Sequence, residues 1–314
     1  MVVARSSPSR SELWDCLIIG GGPAGLSAAT YLGRFLRRVI VIDSGESRAK
    51  WIPESHNCPG FPEGISGVDL LTRLREQAVR YGAELVDDMV LDVRLDGTDF
   101  LVAASSRIRA RSVLVATGIV DTLPAISEIA AMIEAGSLRL CPICDAYELI
   151  GKRVAVFGPA DDAMKKALFL RTYTQDVTML VTSAVTALDY DAGALLRRAE
   201  VKVEACMPGS LRSKGGGASV KLINGNVRVF DTIYPAMGCT IRSKLAIDLG
   251  AKCDEVGNVV VDSHQRTAIA GLYAAGDIVN EINQLAVAFG HAAVAATDIH
   301  NYLGESDGER PPRG

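Results

Sequence analysis

The stretch Leu17-Ile18-Ile19-Gly20-Gly21-Gly22-Pro23-Ala24-Gly25 decides the fold of this 314-residue chain. A short apolar run enters a Gly-x-Gly-x-x-Gly turn, and residues 26–32 then follow a helical pattern. A second apolar run over residues 39–42 ends at Asp43. Strand, glycine turn, helix, strand and terminal acid make up the first unit of a dinucleotide-binding fold, so the chain is predicted to be α/β.

The turn contains the residue types that a bound pyrophosphate requires. Gly20 permits the tight turn, Gly22 lets the backbone approach the phosphates, and Gly25 lets helix and strand pack closely. The helix N-terminus offers N–H groups and the positive end of its dipole. Asp43 is expected to bind the ribose hydroxyls. The residues expected at the pyrophosphate are Gly20, Gly22, Pro23, Ala24 and Gly25.

The same pattern occurs a second time. Residues 152–158 contain an apolar run, 154–157, that ends in glycine, followed by a predicted helix over 163–170 and a predicted strand over 177–181. The chain thus carries an internal duplication of the βαβ unit. Further predicted elements are an amphipathic helix over 68–81, strands over 90–102 and 108–115, a hairpin loop over 209–219 and a final helix over 284–302, with an apolar run over 259–261 before that helix. The segments expected to be flexible tails are 1–10 and 304–314.

Cys141-Pro142-Ile143-Cys144 lies between the two glycine turns. The alternatives to a redox pair are half of a zinc site and two inert core thiols. Zinc would require a second ligand pair, whereas the other five cysteines are scattered and the four histidines form no pair. We therefore expect no metal site and favour a redox-active disulfide. Asp145 follows directly, either as the acid or base for the leaving thiolate or as a surface loop acid.

The composition restricts the function further. The chain is 48% hydrophobic and 22% charged, with a net charge of −4, as is typical of a globular enzyme. It has no basic patch for nucleic acid and no apolar run of the roughly 18–20 residues that span a membrane. Its polar N-terminus lacks the apolar stretch of a signal peptide, so a cytoplasmic location is expected.

The order and spacing of the motifs resemble the low-molecular-weight thioredoxin reductase family from Asp15 to Leu303. The resemblance rests on Gly20 to Gly25, Asn57-Cys58-Pro59-Gly60, Ala116-Thr117-Gly118, Cys141 to Asp145, and Ala274-Ala275-Gly276-Asp277. It implies two Rossmann-like, three-layer ββα dinucleotide-binding domains, the second inserted into the first. The expected ranges are 11–118 and 244–303 for FAD binding, and 119–243 for an inserted NAD(P)-type domain that carries the cysteines.

The resemblance also implies roles for individual residues. Cys144 would face the flavin, Cys141 would attack the partner disulfide, and Asp145 would assist proton transfer. The expected partner is a thioredoxin-like protein or a small disulfide or dithiol, and the expected assembly is a homodimer. Further FAD contacts are expected from Asn57, Ala116, Thr117, Gly118, Gly276, Asp277, Gln284, Leu285 and Ala286.

The second glycine turn departs from the family pattern, which is roughly Gly-Gly-Gly-Asp/Asn-Ser/Thr-Ala. Here it is Gly158-Pro159-Ala160-Asp161-Asp162-Ala163. A methyl group replaces a glycine, Pro159 removes an N–H donor, and two acids would repel a phosphate. Residues 181–184, Val-Thr-Ser-Ala, replace the His-Arg-Arg cluster that clamps the 2′-phosphate of NADPH. No acid follows that strand closely enough for NADH.

These departures predict a divergent branch of the family that does not use NADPH. Ala146 in place of glycine and Gln284-Leu285 in place of Arg-Gln agree with this interpretation. The favoured hypothesis is a thioredoxin reductase-like enzyme with ferredoxin or an unknown donor. The alternatives are a gliotoxin-type dithiol oxidase that uses oxygen, an NADPH-dependent thioredoxin reductase, and a flavin sensor without turnover.

Overall fold

The computed structural model describes residues 13–182, 190–207, 209–279 and 282–308, and these ranges form a mixed α/β chain. The strands are β1 (Leu13–Ile19), β2 (Val39–Asp43), β3 (Glu84–Asp87), β4 (Asp92–Asp96), β5 (Asp99–Ala103), β6 (Arg107–Val115), β7 (Ile119–Asp121), β8 (Val154–Gly158), β9 (Val177–Val181), β10 (Lys202–Ala205), β11 (Arg212–Lys214), β12 (Gly217–Lys221), β13 (Val227–Phe230), β14 (Thr232–Pro235), β15 (Cys239–Ile241) and β16 (Leu272–Ala274). The helices are α1 (Pro23–Arg34), α2 (Gly67–Arg80), α3 (Ile129–Glu134), α4 (Pro142–Asp145), α5 (Ala160–Leu170), α6 (Tyr190–Arg198), α7 (Lys244–Asp248) and α8 (Leu285–Ser306). Two short 3₁₀ turns cover Arg48–Trp51 and Tyr147–Leu149.

The chain divides into two compact units. The first comprises residues up to 52, residues 66–120 and residues from 241 onwards; the second comprises residues 53–65 and 121–240. The segment 53–65, which the sequence placed in the FAD-binding range, thus groups with the second unit. One contact that holds it there is the hydrogen bond from Asn57 Nδ2 to the carbonyl oxygen of Ile143, 3.4 Å long.

The first unit is built on a parallel sheet in the order β3-β2-β1-β6, with β16 also paired to β6. The antiparallel strands β5 and β4 extend the sheet beyond β6. Every residue of β2 is buried, as expected for a parallel strand covered on both faces. Helices α1 and α8 pack on one face through small residues such as Ala28 and Ala292. This packing places the turn between β1 and α1 at the carboxyl edge of the sheet, where such folds bind ligands.

The second unit repeats the architecture on a smaller scale. Its parallel sheet has the order β10-β9-β8-β14, and a separate antiparallel sheet contains β11, β12 and β13. The predicted hairpin is present, with its turn at Gly215 and Gly216, both at positive φ. The apolar core includes fully buried residues from β8, β9 and α5. The second βαβ unit therefore folds, whatever its altered glycine turn binds.

The apolar run over 259–261 forms isolated bridges, from Val259 to Cys253 and to Val279. One sequence prediction requires correction. The final helix does not end before residue 304 but continues to Ser306, and Asp307 is then held by ion pairs with Arg37 and Arg111. Of the predicted tails, 1–10 and the part of 304–314 from residue 309 onwards lie outside the described residues. No helix in the described ranges is long and apolar enough to cross a membrane.

Candidate functional site

The first glycine turn is held by close backbone approaches. Gly20 has φ +107°, and a Cβ atom there would lie 2.4 Å from the carbonyl oxygen of Ala116. A Cβ atom on Gly25 would lie 1.9 Å from the carbonyl oxygen of Gly20. Neither position accepts a side chain without movement of the backbone. The two glycines thus fix the path by which β1 enters α1.

The N-terminus of α1 is open to an anion. Gly22 is the N-cap residue and provides no side-chain hydrogen bond, and the first turn contains no acid. Pro23 occupies the first helical position, where its missing N–H would have no helical partner. The remaining first-turn N–H groups and the helix dipole are therefore available for a diphosphate. A dinucleotide such as FAD fits this cradle.

Asp43 lies beside an open cavity of about 590 Å³ in the first unit. Gly21 must be glycine there, because its Cβ atom would lie 2.5 Å from Asp43 Oδ2. Arg75 of α2 donates to Asp43 Oδ2 over 3.0 Å and to Asp87 over 2.8 Å. Lys50 also lines the cavity. A carboxylate at the end of β2, beside a cavity of this size, suits the ribose of a nucleotide.

Arg48 is a residue that sequence reasoning missed at this site. Its Nη1 lies 3.8 Å from Asp277 Oδ2, and both side chains are mostly buried. Gly276 brings Asp277 close to α1, since a Cβ atom on Gly276 would lie 2.9 Å from the Cβ of Ala24. Ser47 Oγ lies 3.3 Å from where a Cβ of Gly22 would be. A cation is thus placed beside the helix N-terminus expected to bind phosphate.

The remaining predicted FAD contacts are distributed over both units. Thr117 Oγ1 donates to the carbonyl oxygen of Arg242, 2.7 Å away, and fixes the loop after β6 in the first unit. Gln284 is the N-cap of α8 in the same unit. Asn57 is the exception, since it groups with the second unit and accepts a 3.0 Å hydrogen bond from Ser55. The predicted contacts that lie in the first unit are Gly20, Gly22, Pro23, Ala24, Gly25, Asp43, Ala116, Thr117, Gly118, Gly276, Asp277, Gln284, Leu285 and Ala286.

The two cysteines of the Cys-x-x-Cys motif form a disulfide, with an S–S distance of 2.04 Å. Cys141 is the N-cap of α4 and Pro142 starts the helix, so the short turn brings the Cα atoms to 5.3 Å. Both cysteines are partly exposed, and Ile143 between them is 49% exposed. A thiol or disulfide partner can therefore reach this surface of the second unit.

Asp145 is largely buried beside this motif. Tyr234, on β14, donates its hydroxyl to Asp145 Oδ1 over 2.6 Å, and Arg139 Nη1 lies 3.3 Å from Oδ2. Burial raises the pKa of the Asp145 carboxyl, while the hydrogen bond from Tyr234 and the charge of Arg139 oppose that rise. Burial also raises the pKa of the Tyr234 hydroxyl, and the nearby negative charge of Asp145 raises it further. Sequence reasoning missed Tyr234 and Arg139.

The second glycine turn differs in both shape and charge. A Cβ atom on Gly158 would lie 2.2 Å from the carbonyl oxygen of Ala236, which repeats the close approach at Gly20. The N-cap of α5, Pro159, follows Gly158 directly, whereas the N-cap of α1, Gly22, lies two residues after Gly20. Asp161 and Asp162 stand exposed in the first turn.

Residues 181–184, which replace the cluster that clamps the 2′-phosphate of NADPH in the family pattern, are only partly described. Val181 and Thr182 carry no charge, and residues 183 and 184 lie outside the described residues. The open N-terminus of α1 thus contrasts with an acidic N-terminus on α5.

Comparison with known proteins gives consistent matches over most of the chain. A model of the pyridine nucleotide-disulphide oxidoreductase family matches residues 14–292. The thioredoxin reductase of Streptomyces coelicolor is 30% identical over 93% of this chain and 95% of its own length. The bifunctional thioredoxin reductase/thioredoxin of Mycobacterium leprae is 29% identical, over 98% of this chain and 69% of its own. The crystal structure of HlmI matches with a TM-score of 0.89 at 26% identity, covering 97% of this chain and 96% of that one.

Proposed function

The chain belongs to the pyridine nucleotide-disulphide oxidoreductase family and is a thioredoxin reductase-like flavoprotein enzyme, and we propose its electron route from this premise. Electrons pass between FAD and the Cys141–Cys144 disulfide, and NADPH is not the donor. The observation that carries the donor part is the acidic N-terminus of α5. We assign FAD to the first unit and treat the second as the carrier of the disulfide. When bound, FAD supplies two-electron chemistry of its own.

The first unit supplies the groups for cofactor binding. The uncapped α1 N-terminus would hold the pyrophosphate, with Arg48 adding positive charge beside it. Asp43, oriented by Arg75, would bind the ribose hydroxyls. Each of these roles uses a side chain or backbone group already in place, so binding requires little ordering of the chain.

The second unit performs the thiol chemistry. Once the disulfide is reduced, Cys141 is the attacking thiol on a partner disulfide and Cys144 closes the ring again. Two electrons pass from the dithiol to the partner, and the partner leaves as two thiols. Exchange depends on thiolate formation, for which Asp145 is the proton acceptor. The partial exposure of both cysteines supports an external partner.

The argument against NADPH is electrostatic. A dinucleotide phosphate at the second glycine turn would meet Asp161 and Asp162, and the turn residue Pro159 has no N–H to offer. Val181 and Thr182 provide no cation for a 2′-phosphate. We therefore assign the donor to another class, of which reduced ferredoxin is the first candidate to test.

The proposed disulfide partner is a thioredoxin-like protein. The Mycobacterium leprae relative combines thioredoxin reductase and thioredoxin in one chain, which supports this choice. We also propose a homodimer, as the resemblance of the motifs implies, and a cytoplasmic location. The net charge of −4 does not itself select the partner.

Anaerobic titration of the purified flavoprotein tests this function. We expect dithiothreitol to bleach the flavin in the wild-type enzyme and in Cys206→Ser, a matched change of a buried free thiol, but not in Cys144→Ser. Reduced ferredoxin should bleach it rapidly and NADPH should not. Rapid bleaching by NADPH would overturn the donor assignment. Failure of dithiothreitol to bleach the wild-type flavin would overturn the disulfide relay.

The direction of electron flow has its own assay. We expect the enzyme, when supplied with reduced ferredoxin, to reduce thioredoxin or dithiobis(nitrobenzoate). Formation of hydrogen peroxide from small dithiols and oxygen, without reduction of either disulfide, would contradict the reductase direction and identify a dithiol oxidase.

A further inference from the structure

The carboxylate of Asp145 is held at both oxygens by side chains from separate segments of the second unit. Tyr234, fully buried on β14, donates to Oδ1 over 2.6 Å. Arg139, two residues before Cys141, places its Nη1 3.3 Å from Oδ2. A carboxylate with a donor on each oxygen is fixed in orientation as well as in charge.

We propose that Tyr234 and Arg139 are positioning residues that keep Asp145 ionised and correctly aimed during thiol–disulfide exchange. The inference rests on the proposed function, in which Asp145 is the proton acceptor for the redox pair. It adds the residues that determine when Asp145 can act. Neither residue belongs to the cysteine motif, and each acts through Asp145.

Burial and charge make the two donors necessary. The Asp145 side chain is only 17% exposed, and desolvation favours its neutral, protonated form. Both donors stabilise the charged form and so counteract burial. Glu148, on the following 3₁₀ turn, acts against them by repulsion. Without the donors, Asp145 would hold its proton over a wider pH range and could not accept another.

Lys166 of α5 contacts the backbone next to both donor segments. Its Nζ donates to the carbonyl oxygens of Pro235 at 2.6 Å and Leu140 at 3.4 Å. These carbonyls adjoin Tyr234 and Cys141 in sequence. Lys166 therefore helps to hold the two chain segments that carry the donors and the redox pair.

Asp145 and the two cysteines account for every proton that moves during exchange. Cys141 loses its thiol proton to Asp145 and attacks the partner disulfide, and the first leaving thiolate takes that proton back from Asp145. Cys144 then attacks Cys141, and its proton passes by the same route to the second thiolate. The enzyme regains its disulfide and the partner leaves as two thiols, so electrons and protons balance.

A single-turnover assay across acidic to alkaline pH tests the inference. The holoenzyme is reduced anaerobically with dithiothreitol, desalted and mixed with dithiobis(nitrobenzoate), and thionitrobenzoate release is recorded. Cys141→Ser gives the background, including that from the exposed Cys239. Since Tyr234 and Arg139 stabilise the carboxylate, their loss raises its pKa, and the rate should fall off at a higher pH than in the wild type.

The expected shift of the acidic limb is about one to two pH units for Tyr234→Phe, because a hydrogen bond to a charged group contributes about 1.5–3 kcal/mol. Arg139→Gln should shift it in the same direction, and Arg139→Lys should restore most of the wild-type profile. Tyr173→Phe, which removes a hydroxyl elsewhere in the same unit, is the matched control and should leave the limb in place.

Three outcomes distinguish the possibilities. An unchanged acidic limb in Tyr234→Phe overturns the inference, as does an equal loss of rate at every pH, which indicates a structural role. A wild-type rate equal to that of Cys141→Ser at every pH overturns the proposed function instead. If Arg139→Gln does not fold, Tyr234→Phe decides the matter alone.

Discussion

The two glycine turns of this chain share a scaffold and differ in what they offer a ligand. Gly20 and Gly158 each pass within reach of a carbonyl oxygen, from Ala116 and Ala236, where no Cβ atom fits. Beyond that point they diverge, since α1 begins without acids and α5 begins with Asp161 and Asp162. The first glycine is thus a requirement of chain packing, whereas the residues after it determine whether phosphate can bind.

The largest expected effect is at Gly25. In Gly25→Ala the new methyl would lie 1.9 Å from the carbonyl oxygen of Gly20, so the helix must move and the phosphate cradle opens. We expect loss of bound flavin, measured by visible absorbance, and a decrease of about 1–3 kcal/mol in the free energy of unfolding. Ala163→Gly, at the matched position of the second turn, should retain its flavin. A fully loaded Gly25→Ala protein would contradict the packing argument.

The next effect concerns Arg48. Arg48→Gln removes a cation from beside the α1 N-terminus, and we expect the Kd for FAD to rise about tenfold, in line with hydrogen bonds to charged groups. The measurement is reconstitution of the apoprotein, followed by flavin fluorescence at two salt concentrations. Arg34→Gln is the control, because Arg34 lies over the ring of Tyr81 instead. Equal Kd values for the two variants would exclude a role for Arg48 in FAD binding.

A smaller effect is expected when the second turn is made more like the first. An exposed charge about 8 Å from a phosphate in water contributes about 0.5 kcal/mol, so Asp161→Asn with Asp162→Asn should tighten NADPH binding about fivefold. Equilibrium titration with NADPH measures this. Asp191→Asn, which changes the first-turn acid of α6, is the matched control. No change in the double variant would show that charge is not what excludes the dinucleotide.

The smallest of the expected effects is on the stability of helix α5 in the same double variant, Asp161→Asn with Asp162→Asn. Acids in a first helical turn contribute about 0.3–1 kcal/mol each through the helix dipole. Both acids are exposed, so we take the lower end of this range and expect hydrogen exchange at the amides of α5 to be about threefold faster, with the difference reduced at high salt. Slower exchange in the variant would mean that the two acids repel each other more than they stabilise the helix.

The local pattern of apolar and turn residues predicted most helices and strands of the fold. The errors in their bounds have physical causes. Strand β9 matches its predicted range at both ends, because apolar runs between turn residues are local signals. Helix α5 begins three residues earlier than predicted, since Pro159 serves as its N-cap. The final helix is longer because Asp307, directly after it, forms ion pairs with Arg37 and Arg111, which are far away in sequence.

The candidate site was predictable only where its residues stand in motifs. The cysteine pair and the first glycine turn have fixed spacing that a sequence displays directly. Tyr234 lies 89 positions from Asp145, and Arg48 meets Asp277 across an even longer separation. Such pairs arise from strand order and loop packing, which no short window of sequence contains.

The contacts of Lys166 restrict how the sequence of α5 can vary during evolution. It ties α5 to the carbonyl of Leu140, directly before the redox motif, and to that of Pro235, directly after Tyr234. If α5 binds no nucleotide, as we propose, the helix is still needed to hold these two segments in place. Selection should tolerate drift at the exposed start of α5 and resist it at Lys166, so related sequences should vary at one end of this helix and stay constant in its middle.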